Sequence, residues 1–213
     1  MCRVGRPAWV AVMLFVGSVG TSLAQTPDWT HHEPLPAPSG PFPVGVTTVH
    51  GMLGHSLGGA AALEACLSHA LLRACADMDG YPFGDVEQQG VGRPFLVLLS
   101  QPDRDNTSPP RDSAEASRRE RFAQMGRERD STWAAICAHH PDEPCFVAKM
   151  KGTGHMSFSD APFQAPSLLR DVGATLSPEH MHRLVTDNLL EFFDHFLRGQ
   201  ALRSLRPGPM SIP

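Results

Sequence analysis

Beyond residue 45 the chain alternates between short apolar runs and longer helical stretches. Val46–Val49 can form a short strand, and Met52-Leu53 ends a strand that runs into a glycine-rich turn. Leu71–Met78, Pro94–Ser100 and Cys145–Met150 are further short runs, of which Pro94–Ser100 is continuously apolar, as strands buried on both faces of a parallel sheet must be. The Ala/Leu-rich stretch Leu57–His69 reads as a helix. Residues 112–139 read as a solvated helix, because Arg118, Arg119, Arg121, Arg127 and Arg129 interleave with acids, and Gly126 is expected to break it. The last helix is the most sharply defined. Ser177 suits the N-cap and Pro178 the first helical position. Met181, Leu184, Val185, Leu189, Phe192, Phe193, Phe196 and Leu197 fall on one stripe, and Gly199 is placed to end the helix. That aromatic stripe is expected to pack on the sheet rather than on lipid. The order of strands and helices predicts an α/β fold with a mostly parallel sheet and flanking helices.

The strand ends carry the candidate chemistry. Gly54-His55-Ser56-Leu57-Gly58-Gly59 sets a serine between glycines, after an apolar strand and before a helix. Such a turn presents a serine hydroxyl as a nucleophile, and side chains at Gly54 and Gly58 are expected to crowd the neighbouring strand and helix. Acyl transfer by Ser56 needs a base, an acid that orients the base, and donors for the oxyanion. Among 11 histidines, His155 stands apart, because it follows a strand in Lys151-Gly152-Thr153-Gly154-His155 and precedes the last helix. His31, His32, His139, His140, His180 and His182 read as surface or loop residues, and His195 as structural. Asp77, Asp79 and Asp103 all follow strands, and local chemistry does not separate them as the acid. The backbone N–H of Leu57 is the one oxyanion donor the pattern identifies. Ligands gather at the carboxyl ends of strands in open α/β sheets, where these residues fall.

Composition and charge narrow the setting. Arg3 and Arg6 precede a short apolar run, Trp9–Val19, and Ser22-Leu23-Ala24 resembles a signal-peptidase site, with Gln25 as the expected mature start. A retained single-pass anchor is the alternative. Loss of Arg3 and Arg6 with no acid takes the net charge from −4 to −6, which gives no reason to expect nucleic acid or an acidic membrane surface as partner. Pro27, Pro34, Pro36, Pro38, Pro41 and Pro43 make an extended arm. Cys66, Cys75, Cys137 and Cys145 remain after the leader. An even number in an exported chain permits two disulfides; Cys66 with Cys75 and Cys137 with Cys145 are the local pairings, the sequence leaves the connectivity open, and buried free thiols are the alternative. The spacings do not match a zinc site, and no metal or other cofactor is expected.

From Gly51 to about Arg198 the chain resembles the plasma-type platelet-activating factor acetylhydrolases and their bacterial α/β-hydrolase (dienelactone-hydrolase-like) relatives. The segments that carry the resemblance are G-H-S-L-G-G-A at 54–60, D-M-D-G-Y-P-F-G at 77–84, R-P-F-L-V-L-L-S at 93–100 and K-G-T-G-H-M-S-F-S-D at 151–160. The stretch at 35–45 is similar to the N-terminal arm of bacterial members. The resemblance implies an α/β-hydrolase fold and a triad of Ser56, Asp79 and His155, with Asp103 as the alternative acid. It also implies a metal-free serine esterase acting on short acyl esters or on the sn-2 ester of phospholipids, with transient contact to a lipid surface.

The resemblance also sets an expectation of incompleteness. Only 30 residues separate Gln25 from Gly54, counted inclusively, and many are proline. A single βαβ unit takes roughly 30 residues, so the upstream strands and a second oxyanion loop are expected to be missing. The elbow strand should then lie at or near a sheet edge. Losing one oxyanion donor costs about 100- to 1000-fold in rate, so weak activity is expected. The domain plan is a signal peptide over 1–24, a Pro-rich arm over 25–45, a partial α/β-hydrolase domain over 46–199 and a flexible tail over 200–213. The expected function is an exported (secreted or periplasmic) serine esterase of lipid degradation. The alternatives are a catalytically impaired homologue or binding module, and a polyester or cutin-type esterase whose acid falls later in the chain.

Overall fold

The computed structural model describes residues 50–103, 109–164 and 173–212. The expected leader, the Pro-rich arm, the strand at 46–49, and His31 and His32 lie outside the described residues. Five strands form one all-parallel sheet in sequential order: β1 (His50–His55), β2 (Leu72–Met78), β3 (Phe95–Gln101), β4 (Cys145–Lys151) and β5 (Gly208–Ile212). Helices α1 (Leu57–Ser68), α2 (Val86–Gln89), α3 (Ser113–His139), α4 (Ala161–Gln164) and α5 (Pro178–Arg198) connect them. The chain is therefore α/β, with helices flanking a parallel sheet.

Strand alternation divides the core into two faces, because successive side chains point to opposite sides of a sheet. Ala74, Ala76 and Met78 of β2, Leu96 and Leu98 of β3, and Phe146, Ala148 and Met150 of β4 meet Val185 and Phe192 of α5. Phe193, Phe196 and Leu197 extend that layer, so the aromatic stripe of the last helix covers the sheet as its spacing predicts. On the opposite face Cys75, Phe95, Val97, Leu99, Cys145 and Val147 pack against Leu63 and Cys66 of α1, Val86 of α2, and Trp133 and Ile136 of α3. Two disulfides, Cys66–Cys75 and Cys137–Cys145, cross this second layer and realise the local pairing rather than free thiols.

The ends of α5 follow from their residues. Ser177 Oγ accepts from the His180 N–H at 3.3 Å, Pro178 opens the helix, and Gly199 closes it in the left-handed conformation. Helix α3 runs unbroken through Gly126, contrary to expectation. A Cβ there would meet open space, and one half-buried glycine weakens a helix by only about 1 kcal/mol.

The expected flexible tail over 200–213 is the larger correction. Gly208–Ile212 forms β5 and pairs in parallel with β4, from Phe146 opposite Gly208 to Met150 opposite Ile212. The buried Glu191 carboxylate organises the connection. Its Oε1 accepts from the N–H groups of Arg203, Ser204 and Leu205 at 2.6, 2.6 and 2.9 Å, and its Oε2 accepts from Ser204 Oγ at 2.5 Å. Burial alone would raise the Glu191 pKa, but the Ser204 hydroxyl and the three backbone donors outweigh it and hold the group down at about 2. Proline at 207 and 209 hides the strand in the sequence, yet Pro209 is tolerated because β5 is an edge strand. Among the described strands β1 lies at the other edge, with Met52 and Leu53 exposed. Among the described residues no helix is long and apolar enough to cross a membrane.

Candidate active site

The carboxyl ends of β1, β2 and β4 bring three side chains together. Ser56 sits between β1 and α1 with φ 57° and ψ −125°, and its N–H donates to Met78 O at 2.9 Å, tying the turn to β2. Although Ser56 occupies the N-cap of α1, its hydroxyl caps nothing there. Instead Ser56 Oγ lies 3.1 Å from His155 Nε2, and His155 Nδ1 lies 2.9 Å from Asp79 Oδ2. A carboxylate can only accept, so Nδ1 carries the proton and the unprotonated Nε2 accepts from the serine. Asp79 is buried, with a side-chain exposure of 6%, whereas the His155 side chain is 47% exposed.

Backbone strain marks the same residues. Among the described non-glycine residues, only Ser56 and Asp79 have positive φ, at 57° and 55°. Each such conformation costs on the order of 1–3 kcal/mol and persists only where the surroundings impose it. The Asp79 N–H donates to Leu98 O at 2.7 Å, so β3 supports the second strained turn.

Glycines permit the close approach around the elbow, though not in the expected pair. A Cβ on Gly54 would collide with the Gly58 carbonyl and approach Gly59 N to 2.7 Å, whereas a Cβ on Gly58 would meet open space. Gly59 is the second crowded position, because its Cβ would strike the Asp77 carboxylate. The spacing G-x-S-x-G drew attention to Gly58, but the packing constraint falls one residue later.

The three candidate acids separate clearly. Asp77 is fully buried beneath the elbow and accepts from the Gly80 N–H at 2.8 Å, while its Oδ2 has no partner. Burial pushes its pKa up to about 7, against the lowering effect of the Gly80 N–H and with a further rise from the charge on Asp79. Asp103 accepts from Thr175 Oγ1 at 2.6 Å, and its N–H donates to Gly173 O at 2.9 Å, so it joins two loops. Only Asp79 of the three is bonded to His155.

Two neighbours of the triad escaped sequence reasoning. His55 Nε2 donates to the His155 carbonyl at 2.9 Å, and the two rings lie 4.7 Å apart at 38°. Burial lowers the His55 pKa, the His155 charge lowers it further, and the bond to the His155 carbonyl together with Asp79 opposes the shift. Its place inside the G-H-S motif was the available signal. The other neighbour is Arg129, which reaches Asp79 from α3 and lay hidden among the many arginines of that helix. A tight turn then fixes the base. Thr153 Oγ1 donates to Met150 O at 2.7 Å, and the Gly154 N–H donates to Ser157 Oγ at 2.9 Å just before the 3₁₀ turn His155–Phe158.

Leu57 is the first residue of α1, so its N–H belongs to the group that lacks an intrahelical acceptor, at the positive end of the helix dipole. No family model and no curated protein matches this chain. Leu57, Tyr81, Phe83 and Met156, each within four residues of a triad member, expose apolar side chains. Among the described residues no group of three or more His, Cys, Asp or Glu side chains comes together in a way that could hold a metal ion.

Proposed function

We propose that this protein is a serine hydrolase of carboxylic esters, built on an α/β-hydrolase fold and related to the platelet-activating factor acetylhydrolases. The observation that carries the reading is the hydrogen-bonded series Ser56–His155–Asp79, with the serine held in a strained left-handed turn. In the reaction His155 Nε2 takes the Ser56 proton as Oγ bonds to the ester carbonyl carbon. The carbonyl π electrons move to oxygen, and that oxyanion faces the Leu57 N–H and the amino end of α1. As the tetrahedral adduct collapses, the C–O bond to the alcohol breaks and His155 delivers its proton to the departing oxygen. Water, deprotonated by His155, then bonds to the acyl carbon, and as the bond to Ser56 Oγ breaks His155 returns its proton to Oγ. Asp79 holds the ring in the required tautomer throughout.

The resemblance points to short acyl esters and phospholipid sn-2 esters. The exposed Leu57, Tyr81, Phe83 and Met156 suit an apolar acyl chain and transient contact with a lipid surface. Two disulfides fit an exported chain that reaches an oxidising compartment. A polyester or cutin-type reading is less well supported, since Asp103, the later acid, is bonded to Thr175. Among the described residues Leu57 supplies the one backbone donor identified for the oxyanion, and an impaired homologue or binding module is the alternative reading.

A fluorophosphonate probe tests the reading on the full chain. Ser56 should be labelled covalently in the native protein and not in Ser56→Ala, and p-nitrophenyl acetate hydrolysis should disappear with the same substitution. Labelling without turnover would favour the impaired homologue. An unlabelled native protein would overturn the hydrolase reading.

A further inference from the structure

We propose that Arg129 is a positioning residue of this site, holding the Asp79 carboxylate in the orientation that faces His155. The inference rests on the reading of Ser56, His155 and Asp79 as a hydrolytic triad. Arg129 Nη1 lies 3.4 Å from Asp79 Oδ1, and Nη2 donates to Ser100 O at 3.0 Å. The Ser100 N–H donates to the same Asp79 Oδ1 at 2.6 Å. Arginine, the Ser100 peptide groups and the carboxylate thus close a ring around Oδ1, which leaves Oδ2 for His155 Nδ1 at 2.9 Å. A planar guanidinium can span a carboxylate and a carbonyl at once, whereas a lysine ammonium offers a single point charge.

The placement of Arg129 on its helix agrees with this role. Arg129, Trp133 and Ile136 follow the i, i+4, i+7 spacing of one helical face. Trp133 and Ile136 are buried against the sheet, so Arg129 continues that face at the triad end. The preceding residue pairs of α3, Arg119 with Glu115 and Arg127 with Glu120, stay on the helix itself. Asp130 turns to Lys149 at 2.5 Å.

The role matters because the carboxylate must stay aligned while His155 gains and loses a proton. Misplacement of a catalytic group by about 1 Å costs roughly 100-fold in rate. Arg129→Gln, Arg129→Lys and the surface control Arg127→Gln should be compared in the full chain. Three readouts are needed: kcat and KM for p-nitrophenyl acetate, the thermal melt, and the low-field proton resonance of the His155 Nδ1–H in the resting protein. Arg129→Gln should lower kcat about 10- to 100-fold with KM within about two-fold, and should broaden or shift the resonance. Arg129→Lys should recover part of kcat, and Arg127→Gln should match the native protein. A folded Arg129→Gln that keeps both kcat and the resonance overturns the proposal. If Arg129→Gln does not fold, Arg129→Lys decides, and native kcat with a native resonance in that variant overturns it. The resonance is read without turnover. A native chain that shows it but hydrolyses no ester therefore defeats the hydrolase reading, while the Arg129 variants still decide whether Arg129 holds Asp79.

Discussion

The two faces of the sheet are built by different means. The α5 face is apolar, continuous and led by aromatic rings: Phe146 and Phe192 meet edge-on at 5.8 Å, with Phe196 beside both. The opposite face, under α1, α2 and α3, is thinner. It carries two disulfides, the buried Asp77 and the inward-turned Arg129. The first face carries the aromatic packing, and the second carries the disulfides and borders the candidate site. Substitutions under α5 should therefore unfold the protein, whereas substitutions at the rim of the other face should slow it.

The sharpest way to break this division is at the two loop carboxylates. Asp79→Asn should lower kcat about 10,000-fold while the melt changes little, because the imidazole loses the acceptor that fixes its tautomer. Asp103→Asn should keep kcat within about two-fold and weaken folding by about 1 kcal/mol, as the Thr175 bond weakens. Equal rate losses in the two variants would erase the distinction. Under α5, Phe192→Ala should destabilise by about 3–5 kcal/mol in denaturant unfolding, since the ring is fully buried. The kcat of the folded fraction should remain near native, and a selective loss of kcat would place chemistry on the wrong face.

A further effect concerns Glu191 and is read as a pH slope. Its pKa is about 2 in the folded chain, against about 4.3 for an ordinary glutamate. A depressed carboxylate adds stability that is complete above the unfolded value and is lost as pH falls toward the folded one. Native stability should therefore decline by an amount on the order of 3 kcal/mol between about pH 4.5 and 2 through this group. Urea unfolding of native protein and Glu191→Gln at several pH values across that window measures the difference. Identical slopes would remove Glu191 as the clasp of the last strand.

What the sequence disclosed follows the same division. Helix α5 was legible from cap to cap, because Ser177, the apolar stripe and Gly199 act locally. Strands β2, β3 and β4 were legible as apolar runs, and Ser56 and His155 were legible from the turns that carry them. Local chemistry left three strand-following aspartates open and only the resemblance pointed to Asp79, whereas contacts across the fold bring Asp79 alone of the three to His155. Strand β5 was obscured by Pro207 and Pro209, and its anchor Glu191 looks like any polar residue on the back of an amphipathic helix. Arg129 had no local signal at all. Nothing in a row of arginines and acids marks the one that turns inward, and the meeting of residues 79, 100 and 129 exists only once β2, β3 and α3 have assembled.

The disulfides carry one further consequence. Each joins the carboxyl end of a helix to the next strand, at its middle residue in β2 and its first residue in β4, across separations of 9 and 8 residues. Loops of that size restrict the unfolded chain by about 2.5 kcal/mol each. The triad lies at the other end of the strands, held by hydrogen bonds alone. The molecule therefore has a riveted floor and an unriveted rim, so reduction of the disulfides is expected to lower its stability while leaving Ser56, His155 and Asp79 in place.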